Sequence, residues 1–396
     1  MDTSGQKHSK KPSGWPRAGA RGQLVRWGAG TVIAALVSTF AYVRASSATQ
    51  DVSPLAISGA TAVTEALNRA ALPVEGELPP LNGAVQWLNS PPLTQADLRG
   101  KVVVLSVWTY SCINSLRALP YVNAWSQKYK DQGLVVIGVH APEFGFEHDG
   151  ANVKQALKEL GIAYPNALDN HFAIWHALGN EYWPALYFAD AQGRIRHHSF
   201  GEGDYANSET VIRTLLAEAG HPEVAKIAPG LGDTPVPGVE AAADERDLRS
   251  PETHFGYAEA ERFESPGGER PDVPNTYVTP GSLSLNHWGL DGVWQVSSDR
   301  ATLDKASGRV VYRFHARDLH LVLGTGADQK PVRFRVTVDG VAPGNAHGVD
   351  VAPDGTGTVT EHRLYQLVRQ PNDVRDHTFE IEFLDPGVEA YSFTFG

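Results

Sequence analysis

The stretch Val102-Val103-Val104-Leu105-Ser106-Val107 leads into Trp108-Thr109-Tyr110-Ser111-Cys112 and on through Ile113-Asn114-Ser115-Leu116-Arg117-Ala118-Leu119-Pro120. From Lys101 to Val107 the run is almost unbroken in β-branched and apolar residues, the pattern of a central strand buried on both faces. Leu116 to Gln132 is helical in composition. The residues between form a strand-to-helix loop that sets Cys112 at the helix start. Unpaired backbone N–H groups and the helix dipole favour a thiolate there. The spacing therefore predicts a thiol of lowered pKa, nucleophilic near neutral pH. A buried, inert cysteine is the competing reading, which the strand-loop-helix position disfavours.

Cys112 is the single cysteine of 396 residues, and Met1 is the single methionine. No intramolecular disulfide can form, and a Cys-only zinc site is excluded within one chain. Thiol chemistry must run through one sulfur and a partner from outside.

Around this junction, residues 80–220 alternate strands and helices. Leu134 to Val139 is a second buried strand, and Asn152 to Leu160 is an amphipathic helix closed by Gly161. Ala185 to Ala189 is a third strand. Asp190 to Gly193 turns it into Arg194 to Phe200, and Ser208 to Ala219 is a last helix. The order predicts an α/β fold with parallel strands and a closing hairpin. Residues 221–253 are rich in Pro and Gly and read as a linker. From 254 to 396 short alternating strands recur, among them Arg309–Phe314, Leu319–Gly324, Val332–Val338, Leu364–Val368, Phe379–Phe383 and Tyr391–Phe395. These predict an all-β sandwich, jelly-roll-like.

The N-terminus differs again. Residues 1–26 are polar and basic, and Trp27 to Val43 is uncharged for seventeen residues. That length lies between a short membrane span and a long signal core. The segment 27–44 reads first as an uncleaved anchor with a cytoplasmic 1–26 tail, and second as a signal cleaved after Ser46-Ser47-Ala48. Residues 45–79 read as a spacer. Either way the body is exported: single-pass on the outer side of the cytoplasmic membrane, or secreted.

The hydrophobic fraction of 42% and charged fraction of 20% belong to globular material rather than to a disordered chain. Net charge is −11, while the first 44 residues are basic, so the body is acidic. That excludes nucleic acid as the expected partner.

Trp108, Cys112 and Pro120 resemble the W-x-x-x-C-x-x-C motif and helix proline of the thioredoxin-like superfamily, and Trp183-Pro184 resembles its cis-proline. The chain over roughly 80–396 is similar to the DipZ-type redoxins. The matching stretches are Trp87 to Leu93, Trp108 to Asn114, Gly138 to Phe144, Tyr164 to Asn170, Tyr182 to Ala185 and Phe200 to Tyr205. The β region resembles that family's C-terminal domain, which is likened to carbohydrate-binding modules. Two departures matter. Ser115 stands where the family has its second cysteine, and Ser106 stands where it has a buried acid. The resemblance then implies a thiol oxidoreductase whose C-x-x-S site makes mixed disulfides and relies on an external thiol for release.

In that reading Cys112 is the nucleophile and Ser115 hydrogen-bonds its thiolate. Trp108, Tyr110, Trp183 and Pro184 shape substrate approach, and His140 and Glu143 are candidate proton shuttles. Thr109 gives a T-x-x-C spacing like that of peroxiredoxins, but Leu105 stands where those proteins carry proline, so one-cysteine peroxidase chemistry is a lesser alternative. No cofactor or metal is expected: His197-His198 and Glu202 lie on or after a strand where adjacent side chains diverge. Trp288 and Trp294 are read as sandwich core before sugar platform. Expected partners are exported protein thiols or disulfides, an external thiol reductant, the membrane, and a glycan at the β domain. A redox-inactive binding scaffold is the alternative of a different class.

Overall fold

The computed structural model describes residues 72–231, 236, 238–371 and 374–396. The basic lead, the apolar stretch 27–44 and most of the spacer lie outside the described residues. The first described domain runs β1 (Gly76–Glu77), β2 (Gln86–Leu88), α1 (Gln95–Leu98), β3 (Val102–Trp108), α2 (Ile113–Lys128), β4 (Leu134–His140), α3 (Gly150–Glu159), β5 (Asn166–Leu168), α4 (Ala173–Ala177), β6 (Ala185–Ala189), β7 (Arg194–Phe200), α5 (Tyr205–Glu218). Its strands form one sheet in the order β1-β7-β6-β3-β4-β5-β2.

β3 sits at the centre, parallel to β4 and antiparallel to β6. All of its residues are buried. Val102, Val104 and Trp108 enter one core with α2, α3 and α5. Val103, Leu105 and Val107 enter the opposite core, with Ile174 and Trp175 of α4. Both faces are dry, which is why the sequence shows no alternation here.

Element ends differ from expectation where the signal is non-local. α2 begins at Ile113 rather than Leu116, because the Leu116 amide already bonds the Cys112 carbonyl at 3.0 Å. It stops at Lys128, and Gly133 at φ 88° turns the chain into β4. Residues read as spacer supply β1, which pairs with β7. Strands of two residues carry no periodicity to detect.

The second domain comprises β8 (Thr253–His254), β9 (Pro274–Tyr277), β10 (Trp288–Val296), β11 (Ala301–Leu303), β12 (Gly308–Phe314), β13 (Asp318–Thr325), β14 (Val332–Val338), β15 (Thr356–Val359), β16 (Arg363–Arg369), β17 (His377–Phe383) and β18 (Val388–Phe395). β8 straddles the expected boundary, taking Thr253 from the linker, and pairs with β18. The strands form one curled antiparallel sheet, the expected sandwich. β10 belongs to both layers: Trp288–Asp291 pair with β12, and the rest with β9 and β11. Gly292 marks the change at φ 99°, where a Cβ would stand 3.0 Å from the Gly308 Cα. Trp288 and Trp294 are fully buried in this core, so neither is available as a sugar platform.

The outer face of β13, β16 and β18 meets the first domain. Val322, Leu364 and Tyr391 join the core of α2, α3 and α5. Arg117 of α2 is buried; its Nη1 pairs with Glu202 at 2.9 Å and its Nη2 donates to the Phe395 carbonyl at 3.4 Å. The helix that starts at Cys112 is therefore clamped by the β domain.

His320 lies on this face, fully buried, and burial pushes its pKa down from 6.5 to about 3. His140 in β4 shifts the same way, also to about 3. Below pH 6.5 the unfolded chain binds protons that the fold refuses, so this contribution to stability is present above 6.5 and lost as pH falls towards about 3. Urea unfolding at several pH values should show this slope, and His320→Gln should reduce it by up to ~1.4 kcal/mol per pH unit. An unchanged slope in that variant contradicts a buried neutral His320.

Candidate functional site

The loop between β3 and α2 is built on hidden supports. Trp108 is buried, and its indole N–H donates to Asn166 Oδ1 at 3.0 Å. That amide crosses β4 where Gly138 lies; a Cβ there would come within 2.0 Å of the Asn166 oxygen. Tyr110 is also buried, stacked on His140 at 5.7 Å and tilted against Phe146 at 5.9 Å. Both rings underpin the loop. The expectation that they shape substrate approach is corrected: neither presents a surface to solvent.

Glu147 is the centre of this support, and sequence reasoning missed it. It sits in the turn Gly145–His148 after β4, with no exposure. Its Oε1 accepts from the Thr109 hydroxyl, from the Ser111 hydroxyl at 2.6 Å and from the Ser111 amide at 3.3 Å. Its Oε2 accepts from the amides of Glu143 at 2.6 Å and Phe144 at 3.0 Å. One carboxylate thus ties the Cys112 loop to the loop after β4. Burial pushes its pKa up, and the hydroxyls of Ser111 and Thr109 and the amides of Phe144 and Glu143 oppose that shift.

Thr109 is fully buried and spends its hydroxyl on Glu147, which weighs against its orienting a peroxide. His140 is buried, and its pKa of about 3 keeps it neutral. Its Nε2 lies 3.4 Å from Thr109 Oγ1, and its Nδ1 has no hydrogen-bond partner. A proton shuttle at His140 is thereby corrected to a packing role. Ser106 is buried in β3, so no charge replaces the missing acid there.

Cys112 is the N-cap of α2 and half-buried. Ser115 is buried beneath it; its hydroxyl accepts from the Thr109 amide at 3.4 Å, and its N–H and hydroxyl both pull the thiol pKa down. The net shift is nevertheless upward. Burial is the largest cause, followed by the charges of Glu143 and Glu252. That direction runs against the expected low-pKa thiolate: desolvation moves a fully buried acid by up to ~3–5 pKa units, whereas a helix terminus contributes ~0.3–1 kcal/mol, less than one unit.

Glu143 is half-buried beside this thiol. Its carboxyl is pushed well above the usual range by burial, then by Glu252, Glu147 and Glu259. Glu252 and His254 come from the β domain. The side-chain oxygens of Glu143 and Glu252 and a ring nitrogen of His254 all lie within 4.8 Å of one another. His254 also lies 3.7 Å from Glu259. These partners stand more than a hundred residues from Glu143 in the chain, and no local pattern connects them.

Trp183-Pro184 is cis, as expected, at the entrance to β6. Ala185 pairs with Val107, which brings this turn to the Cys112 end of the sheet. Trp183 donates to the Ala141 carbonyl at 3.0 Å and contacts Trp175. The Pro184 carbonyl accepts from Gly201 at 2.8 Å, so it is not free for a substrate strand.

A family model described as AhpC/TSA matches residues 84–198, and one described as a thioredoxin like C-terminal domain matches residues 250–396. The thiol-disulfide oxidoreductase YkuV of Bacillus subtilis is 33% identical over 141 residues, covering 36% of this chain and 95% of YkuV. The chain belongs to the thioredoxin-like redoxins. Protein DipZ of Mycobacterium tuberculosis is 38% identical over 330 residues, covering 81% of this chain. The chain spans 43% of that redoxin's length. A solved thioredoxin-like protein in its oxidised form is 33% identical, covers 37% of this chain and 97% of its own, and has a TM-score of 0.34. The redoxin is thus a thiol-disulfide oxidoreductase-like thioredoxin fold followed by a β domain. Among the described residues no helix is long and apolar enough to cross a membrane.

Glu147→Gln places an amide N–H₂ among donors that need acceptors. The variant should lose about 2–4 kcal/mol of stability in urea unfolding. A loss below about 0.5 kcal/mol would show that the carboxylate is not holding the two loops.

Proposed function

We propose that this redoxin is an exported, membrane-tethered thiol oxidoreductase that works through Cys112 alone, forming mixed disulfides with exported protein thiols or disulfides. The observation that carries it is the placement of the one sulfur: half-buried at the start of α2, over Ser115, at the sheet end that also holds Trp183-Pro184. Only a disulfide can enter this exchange without a further oxidant. In the forward step the Cys112 sulfur bonds one sulfur of a substrate disulfide. The substrate S–S bond breaks, and its other sulfur leaves as a thiol. A protein thiol enters only in the reverse step, by releasing the adduct. No second cysteine exists in the chain to resolve the adduct, so an external thiol releases it. Ser115 steadies the sulfur through this exchange, and Glu143 is the nearby group suited to handle its proton. The basic lead and the apolar stretch 27–44 support export and the tether.

The upward shift of the thiol favours one second reading, a redox-inactive scaffold that binds a partner. Mixed-disulfide capture from the cell envelope separates the two. The native chain should retain reductant-sensitive adducts, and Cys112→Ala should retain none. An absence of adducts together with full function of Cys112→Ala would replace the enzyme by the scaffold.

Burial and the two carboxylates raise the thiol above its ordinary value of 9.0, so iodoacetamide labelling of Cys112 should keep rising beyond pH 9.0. A plateau below about pH 8 would contradict this.

A further inference from the structure

The β domain does more than cover the redox helix. β8 is only two residues long, Thr253–His254, yet it pairs with β18 at Ser392 and Phe393 and is thereby fixed. Its neighbour Glu252 and its own His254 face Glu143 across the domain boundary. The loop that carries Glu143 is held from the same side: Phe144 lies 5.2 Å from the Tyr391 ring and 6.0 Å from His254, and Phe146 lies 4.8 Å from Tyr391 and 4.9 Å from His362. Both loops are further locked by Glu147. No Lys or Arg pairs with Glu143, Glu252 or Glu259 among the described residues; His254, 4.0 Å from Glu252 and 3.7 Å from Glu259, is the one basic side chain in ion-pair range. Glu143 and Glu252, brought this close with so little compensation, share protons rather than both ionise. Glu147 accepts from the amides of both Ser111 and Glu143, so the loop that carries Glu143 lies against the residue before Cys112, and Glu143 and Glu252 both act to raise the Cys112 thiol.

We propose that Glu252 and His254 of the β domain complete the Cys112 site, passing the thiol's proton, with Glu143, to the departing sulfur of a bound disulfide. This rests on the mixed-disulfide reading above. The step balances without any further reactant. The relay takes the proton of the Cys112 thiol, and the thiolate bonds one substrate sulfur as the substrate S–S bond breaks. The relay returns a proton to the other sulfur, so Cys112–SH and R–S–S–R′ become Cys112–S–S–R and R′–SH. The relay occupies the role that Ser106 cannot fill. It also gives a thiol of raised pKa a way to react near neutral pH. The groups that face the relay are Cys112, Glu143 and Glu147 of the first domain and Glu252, His254 and Glu259 of the second.

The test uses the full-length chain and two readouts: the pH profile of Cys112 alkylation by iodoacetamide, and thiol release from a small aromatic disulfide at pH 7. Glu252→Gln removes one charge acting on the sulfur, so its alkylation midpoint should fall by about half to one pH unit. More thiolate would speed release if charge were all that mattered. A lost relay should instead slow release about tenfold or more. His254→Gln should slow release as well, and Glu252→Asp should restore part of the rate. Glu252 keeps 49% of its side-chain surface at solvent, so Glu252→Gln should fold, which near-ultraviolet circular dichroism checks. A midpoint and a rate both unchanged in Glu252→Gln overturn the proposal. So does a shifted midpoint with an unchanged rate, since Glu252 would then act by charge alone. Protection of Cys112 by added zinc, reversed by a chelator and lost in His254→Gln, also overturns it, because a cation would hold the place of the shared proton. Failure of the unmodified chain to release any thiol overturns the mixed-disulfide reading and the relay with it, whereas the variant outcomes bear on the relay alone.

Discussion

Everything around the sulfur depends on one buried carboxylate. Glu147 cannot be taken from water without partners, and the chain supplies five donors, from Thr109, Ser111, Glu143 and Phe144. Meeting that demand fixes two loops at once. The first leads into α2 and sets Cys112 as its N-cap. The second carries Glu143 towards the thiol, and Phe144 and Phe146 towards the β domain. The two strands alone would place these loops at the same sheet end. The carboxylate makes them one rigid body, since each lost hydrogen bond would leave a buried donor costing ~1–3 kcal/mol.

That rigidity settles the electrostatic contest at Cys112. A helix N-terminus favours a thiolate, and Ser115 adds two hydrogen-bond donors. Against them stand burial and the charges of Glu143 and Glu252. Desolvation is the larger effect, so the balance at Cys112 raises the thiol rather than lowering it. Under the proposed relay, reactivity comes from proton transfer during exchange rather than from a standing pool of thiolate. The missing second cysteine fits that economy, because Ser115 can hydrogen-bond the sulfur but cannot displace it.

Much of this was legible in the sequence. The β3 run, the strand-to-helix junction and the Trp183-Pro184 turn are local patterns, and the structure reproduces all three. The alternation of β14 likewise matches its burial. The roles of Trp108 and Tyr110 were inverted for a physical reason. An aromatic ring in a loop is read as exposed unless its cover is known, and the covers here are Asn166, His140 and Phe146. Glu147 gave no signal because its demand is for partners thirty-odd residues earlier in the chain. Glu252 gave none because it sat in a segment read as linker, and His254 gave none because it opens the β region with no local pattern tying it to Glu143. Sequence periodicity reports which face of an element is dry; it does not report which distant loop supplies a donor.

The contact between the domains is itself informative. A face built only for adhesion would be apolar throughout. The outer face of β13, β16 and β18 instead mixes Val322, Leu364 and Tyr391 with buried His320, Gln366, Ser392 and Thr394, whose side-chain polar atoms find no protein hydrogen-bond partner among the described residues. Each such group costs desolvation that an aliphatic residue would not, so the docking free energy is smaller than the buried area alone would give. Arg117 partly offsets this through Glu202 and the Phe395 carbonyl, at the cost of burying its own charge. The domains are therefore joined where the redox helix and the Glu143 loop need support, by an interface that spends stability on polar groups rather than maximising it. That is the behaviour expected of a surface shaped around a site, and it accords with the proposal that the β domain forms a wall of the Cys112 centre.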